Sequence, residues 1–96
     1  MGKPIRVFDR YMDETHVTIT EEEVLFHSDQ LGAVDWSRDL VRTDQGYFVR
    51  EQRRAEGAPV NYHRIDAATA ENILQKTDHR EIYEALKEST SYQTLT

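Results

Sequence analysis

The sequence predicts a small α+β domain: an antiparallel meander of four to five strands with two helices at its C-terminal end. Three observations carry this. The runs Leu40–Thr43 and Tyr47–Gln52 are rich in β-formers and flank Asp44-Gln45-Gly46, whose glycine can take the positive φ of a tight hairpin loop. A third β-rich run, Val60–Ile65, follows the breakers Gly57 and Pro59. Asp66 and Asp78 then each precede apolar residues at helical spacing.

Ile5–Tyr11 alternates in part and reads as a first strand. Thr15–Thr20 alternates cleanly, with Val17 and Ile19 on one face and His16, Thr18 and Thr20 on the other. Residues Glu21–Leu31 carry two patterns. Thr20 with Glu23 matches a helix capping box and Gly32 suits a helix end. Val24-Leu25-Phe26-His27 reads instead as a strand returning from a Glu21-Glu22 turn. The strand is preferred, and a hairpin register then sets Val17 against Phe26, Ile19 against Val24 and His16 against His27. The single tryptophan, Trp36, is expected to be a packing residue, given the area an indole buries.

In the central hairpin, a three-residue loop places Thr43 opposite Tyr47, Val41 opposite Val49, Leu40 opposite Arg50 and Arg42 opposite Phe48. Asp66 caps a helix over Ala67–Lys76 with Ala70, Ile73 and Leu74 inward. Asp78 with Glu81 starts a second helix over His79–Lys87, with Ile82, Tyr83 and Leu86 as its stripe. Neither a repeat nor a linker interrupts the chain, so residues 1–88 form one domain and 89–96 read as a flexible tail.

A chain of 96 residues without cysteine has no disulfide framework, thiolate nucleophile or cysteine-based zinc site, and it is compatible with a reducing cytoplasm. The first residues lack the apolar core of about 7–15 residues that a signal peptide needs. No apolar run approaches the roughly 20 residues that cross a bilayer, so a cytoplasmic protein without a membrane partner is expected. So small a core is compatible with a homodimer through an exposed meander edge.

Net charge is −6 but uneven: residues 1–37 carry −5, residues 38–65 carry +2, and residues 66–96 carry −3. The meander is a weakly basic island between acidic flanks. Its Arg42, Tyr47, Phe48, Arg50, Arg53 and Arg54 combine guanidinium forks with aromatic rings, the residue types that anchor protein interfaces. Nucleic acid is disfavoured as a partner, because the whole chain repels a polyanion.

No glycine-rich phosphate loop, nucleophile elbow or metal-binding histidine spacing is present among Ser28, Ser37, Ser89, Ser91 and the four histidines. His16 and His27 would need the hairpin register and a third ligand to hold a metal. The expectation is therefore a non-catalytic protein-interaction module, regulatory or inhibitory, without cofactor or metal, binding a protein partner through the meander arginines. The alternative is an acidic nucleic-acid mimic that blocks a DNA- or RNA-binding protein with Glu21, Glu22, Glu23 and Asp29.

Overall fold

A computed structural model describes residues 2–9, 13–28 and 35–90. Six strands, β1 (Lys3–Phe8), β2 (Glu14–Ile19), β3 (Glu22–Phe26), β4 (Trp36–Thr43), β5 (Gly46–Arg53) and β6 (Val60–Ile65), precede two helices, α1 (Ala67–Leu74) and α2 (His79–Ser89). The strands form one sheet in the order β2-β1-β6-β5-β4-β3. The α+β class and the two C-terminal helices are as expected. The strand count is six rather than four to five, and the sheet is mixed, because β1 runs parallel to β6. Strands more than fifty residues apart in the chain share no local periodicity that would announce their pairing.

Residues Glu22–Phe26 do form a strand, but it does not pair with β2. The two are joined by Thr20 and Glu21 alone, yet they stand at opposite edges of the sheet. Only a strongly rolled sheet allows this. In a flat one, β3 and β6 would lie about 14 Å apart across three strand spacings. Here the Tyr62 hydroxyl of β6 donates to Glu22 Oε2 of β3 at 2.5 Å. The corner is pinned by Asp44 Oδ1, which accepts from the backbone N–H groups of Thr20 at 2.8 Å and Glu21 at 3.2 Å.

Rolling gives the sheet a concave and a convex face, each with its own core. Ile5, Val7, Ile19, Val41, Phe48 and Tyr62 pack inside the roll. Leu40 and Val49 face outward and are covered by Ala70 and Ile73 of α1 and Ile82 and Leu86 of α2. Asp66 caps α1 by accepting from Thr69 N at 2.8 Å, and Asp78 caps α2 by accepting from Arg80 N at 2.8 Å. The stripes are as expected except that Leu74 is exposed. Helix α1 stops at Leu74 rather than Lys76, and α2 continues through Ser89 with Thr90 as its cap. Of the expected tail, residues 91–96 lie outside the described residues. No helix among the described residues is long and apolar enough to cross a membrane.

The central hairpin turns through two residues, Asp44 and Gln45, with Gly46 at φ +115° as the first residue of β5. The register is thus one residue off the expected one. Leu40 faces Val49, Val41 faces Phe48, Asp39 faces Arg50 and Arg38 faces Glu51. This pairing sets apolar against apolar and acid against base. The three-residue loop would have set Leu40 against Arg50 and Arg42 against Phe48.

Candidate functional site

The apolar layer does not fill the roll. Beyond Tyr62 the concave face opens into a cavity of about 760 Å³, between β1 and β6 on one side and the β4–β5 arm on the other. That volume lies within the roughly 300–1,000 Å³ of small-ligand sites. Lys3, Arg6, Arg50, Arg53 and Arg54 line this cup, and among its described lining residues Asp39 is the one carboxylate. The period-two alternation of β4 and β5 explains the placement: Leu40 and Val49 turn to the helices, so Asp39 and Arg50 must turn inward.

Asp39 anchors the floor. Its side chain is 4% exposed, and its Oδ2 accepts from Arg50 Nη2 at 2.8 Å. Its Oδ1 accepts from the Ser28 backbone N–H at 3.2 Å and lies 2.8 Å from His27 Nδ1. Arg50 reaches onward with Nη1, 3.2 Å from Glu22 Oε2. The Lys3 ammonium donates to Glu22 Oε1 at 3.2 Å. One polar chain therefore runs from His27 through Asp39, Arg50 and Glu22 to Tyr62 and Lys3, joining strands from both sides of the roll.

The protonation states follow from this chain. Burial alone would push the Glu22 carboxyl up, but hydrogen bonds from Tyr62 and Lys3 and the charge of Arg50 hold it below its ordinary value. Burial opposes the charge on Arg50, yet Asp39 and Glu22 more than compensate and its guanidinium is held more firmly protonated than usual. Burial and the bond to Glu22 both push the Tyr62 hydroxyl up. Arg53 and Arg54 stand exposed at the rim. Arg53 makes no ion pair or side-chain hydrogen bond among the described residues.

Of the residues expected to bind a partner, the fold brings Arg50, Arg53 and Arg54 together and separates the rest. Phe48 is fully buried in the concave core. Tyr47 packs against the helix-side core, and Arg42, its cross-strand neighbour, pairs with Glu23 in solvent. Alternation makes a single face of Tyr47 and Phe48 impossible, since consecutive strand residues point to opposite sides. Sequence reasoning missed Lys3, Arg6, Asp39 and Tyr62 and weighed His27 only as a metal ligand; Lys3, Arg6 and Tyr62 come to the cup through the long-range β1–β6 pairing. Asp39 had one local signal, its cross-strand match with Arg50 in the central hairpin.

The acidic surface of the alternative reading is largely engaged. Glu22 pairs with Lys3 and Arg50, Glu23 pairs with Arg42, and Glu21 lines a separate pocket that Arg42 also lines. Asp29 lies outside the described residues. The expected facing of His16 and His27 does not occur. His16 sits opposite Arg6, 3.9 Å from Glu14, while His27 bonds to Asp39 across the sheet. Among the described residues, no three His, Asp or Glu side chains gather as metal ligands would.

No family model, curated protein or solved structure matches this chain. The functional reading therefore rests on the cup itself.

Proposed function

We propose that this chain is a non-catalytic interaction module whose basic cup receives an anionic segment of a protein partner. The observation that carries the reading is local charge inversion. A chain of net charge −6 gathers five of its cationic residues around one cavity that, among the described residues, has a single lining carboxylate. Cavity walls of one sign focus the field, raise the local concentration of counter-charged groups and exclude like-charged competitors. The acidic remainder of the surface sharpens this by repelling polyanions everywhere else. Of the expected meander interface, Arg50, Arg53 and Arg54 remain its working part.

The test is capture of partners from host lysate on immobilised protein at low and raised salt. The Arg53→Glu/Arg54→Glu variant is run in parallel, with Arg80→Glu on the outer surface of α2 as control. A partner that the wild type and the control retain, that the cup variant loses, and that elutes as salt rises is the expected result. Equal retention by the cup variant would overturn the reading.

A further inference from the structure

We infer that the partner segment enters the cup as an extended strand, laid between the N-terminal halves of β1 and β6, with acidic side chains at alternate positions. This rests on the cup being the binding face and adds the conformation in which its ligand is held. Three observations point to it.

The first is a ladder that stops early. Strands β1 and β6 are six residues each, yet they pair only at Val7 with Tyr62 and Phe8 with His63. At the next rung a side-chain bond stands in for the ladder, with Arg6 Nη2 donating to Asn61 Oδ1 at 2.7 Å. Residues 3–6 pair with β2, and Val60 and Asn61 pair with β5, so each strand keeps one edge outside the pairing of the sheet. Pro4 has no N–H with which to extend a ladder.

The second is the path of the cavity. Lys3, Pro4, Ile5 and Arg6 all line it, although consecutive strand residues point to opposite faces. Ile5 packs with Tyr62 in the concave core, while Arg6 reaches Asn61 on the other face. A cavity that meets both sets follows the open edge of β1, and Val60, 39% exposed, borders it from β6. Such an edge suits an extended peptide, which is held by main-chain hydrogen bonds and selected through its alternate side chains. Because β1 and β6 run parallel, a segment running against both forms antiparallel ladders on its two sides, the more stable pairing.

The third is the charge along this path. Asp39, which lines the cavity, is matched to Arg50, and Glu22 is matched to Lys3 and Arg50. Arg6 bonds instead to a neutral amide, and Arg53 makes no ion pair or side-chain hydrogen bond among the described residues. Aspartate or glutamate on the incoming segment supplies the carboxylates that these two guanidinium groups lack.

The test is calorimetric titration of the full chain with a capped peptide of alternating glutamate and valine, and with the same peptide N-methylated at each valine. The two carry equal charge, but the second lacks the N–H groups along one edge. The parent peptide is expected to bind about tenfold more tightly. Among the amides of residues 3–6 and 60–61, those that β2 and β5 leave unpaired should exchange more slowly once it binds. Equal affinity for the two peptides, no binding of the parent, or no slowing at these edges would each overturn the inference. Edge amides already protected in the free chain would mean that the chain itself or a second copy fills the split, and would overturn it too. Equal affinity that is lost for both peptides in Arg53→Glu/Arg54→Glu leaves the interaction reading standing, with the segment held by its side chains. Partner capture that ignores the rim arginines sinks the interaction reading by itself.

Discussion

Strands β4 and β5 carry two cross-strand ion pairs side by side, Arg38 with Glu51 and Asp39 with Arg50, and the two point to opposite faces. On the convex side Arg38 Nε donates to Glu51 Oε2 at 2.9 Å and Nη1 donates to the Tyr83 hydroxyl at 2.7 Å. His63 Nε2 lies 2.9 Å from Glu51 Oε1, and helix α2 closes over the group. Both side chains of that pair are within a tenth of full burial, at 9% and 10% exposed. On the concave side Arg50 retains 24% exposure and borders the cup. Similar chemistry thus serves two ends. The sealed pair has its donors and acceptors consumed by the fold and fixes α2 to the sheet. The open pair positions a cation at a cavity that solvent and ligands can reach.

Breaking the sealed pair should cost most. Glu51→Ala leaves the Arg38 guanidinium buried without its carboxylate and removes the partner of His63 Nε2. A loss of about 3–5 kcal/mol is expected, enough to threaten folding in a chain of this size. Denaturant unfolding with tryptophan fluorescence reads it, since Trp36 sits against the Arg38 guanidinium. A Glu51→Ala midpoint close to wild type would mean that α2 is held by its apolar stripe alone.

Acid reaches both pairs. Burial would push the Glu51 carboxyl up, but the bond and charge of His63, with Arg38 and Thr90, hold it below its ordinary 4.5. Glu22 in the cup is likewise held below 4.5, as described. A carboxylate whose folded pKa is depressed stabilises the fold above its unfolded pKa, and that stability is lost as pH falls through the folded value. Unfolding midpoints should therefore fall progressively below about pH 4.5. Added salt should weaken the Glu22 share, whose side chain is 17% exposed, more than the sealed Glu51 share. A stability flat across that acid range would refute both assignments. The cup adds an alkaline limb. Lys3 is held above its ordinary 10.5 and Tyr62 above its ordinary 10.0, so both lose stabilising protons as pH rises past these values.

Removing Arg50 should cost less than removing Glu51. Arg50→Ala strips Asp39 and Glu22 of a shared donor, but water enters from the cup and His27, Tyr62 and Lys3 stay in place. About 1–2 kcal/mol is the expected penalty by urea unfolding. A loss as large as that of Glu51→Ala would show that the cup is a structural network first.

The contrast between the pairs also explains what was legible in the sequence. Val60–Ile65, the caps Asp66 and Asp78, and the stripe Ile82, Tyr83 and Leu86 were readable because each depends on residues within a turn or two. The expected hairpin register is one residue off because a three-residue loop ending in Gly46 ignores the charge pairing of the flanking strands. Matching Arg38 with Glu51 and Asp39 with Arg50 along the same two strands selects the two-residue loop at once. The roll was not legible. It depends on β1 joining β6 and on Asp44 catching the β2–β3 link, contacts between residues far apart in the chain. Lys3 and Tyr62 entered the site by that route, and no local pattern announces them.

The smallest effect on stability should come from the residues expected to matter most for binding. Arg53 and Arg54 are exposed at the end of β5, and the fold makes no visible use of the Arg53 side chain. Arg53→Glu/Arg54→Glu should therefore shift stability by no more than about 0.5 kcal/mol. The same change turns four units of charge at the mouth of the cup, so partner capture should collapse. Stability and binding would then be separated on one sheet, with Glu51 governing the first and the rim arginines the second. A rim variant that unfolds would place these arginines in the scaffold. One that folds and binds as before would move the site away from the cup altogether.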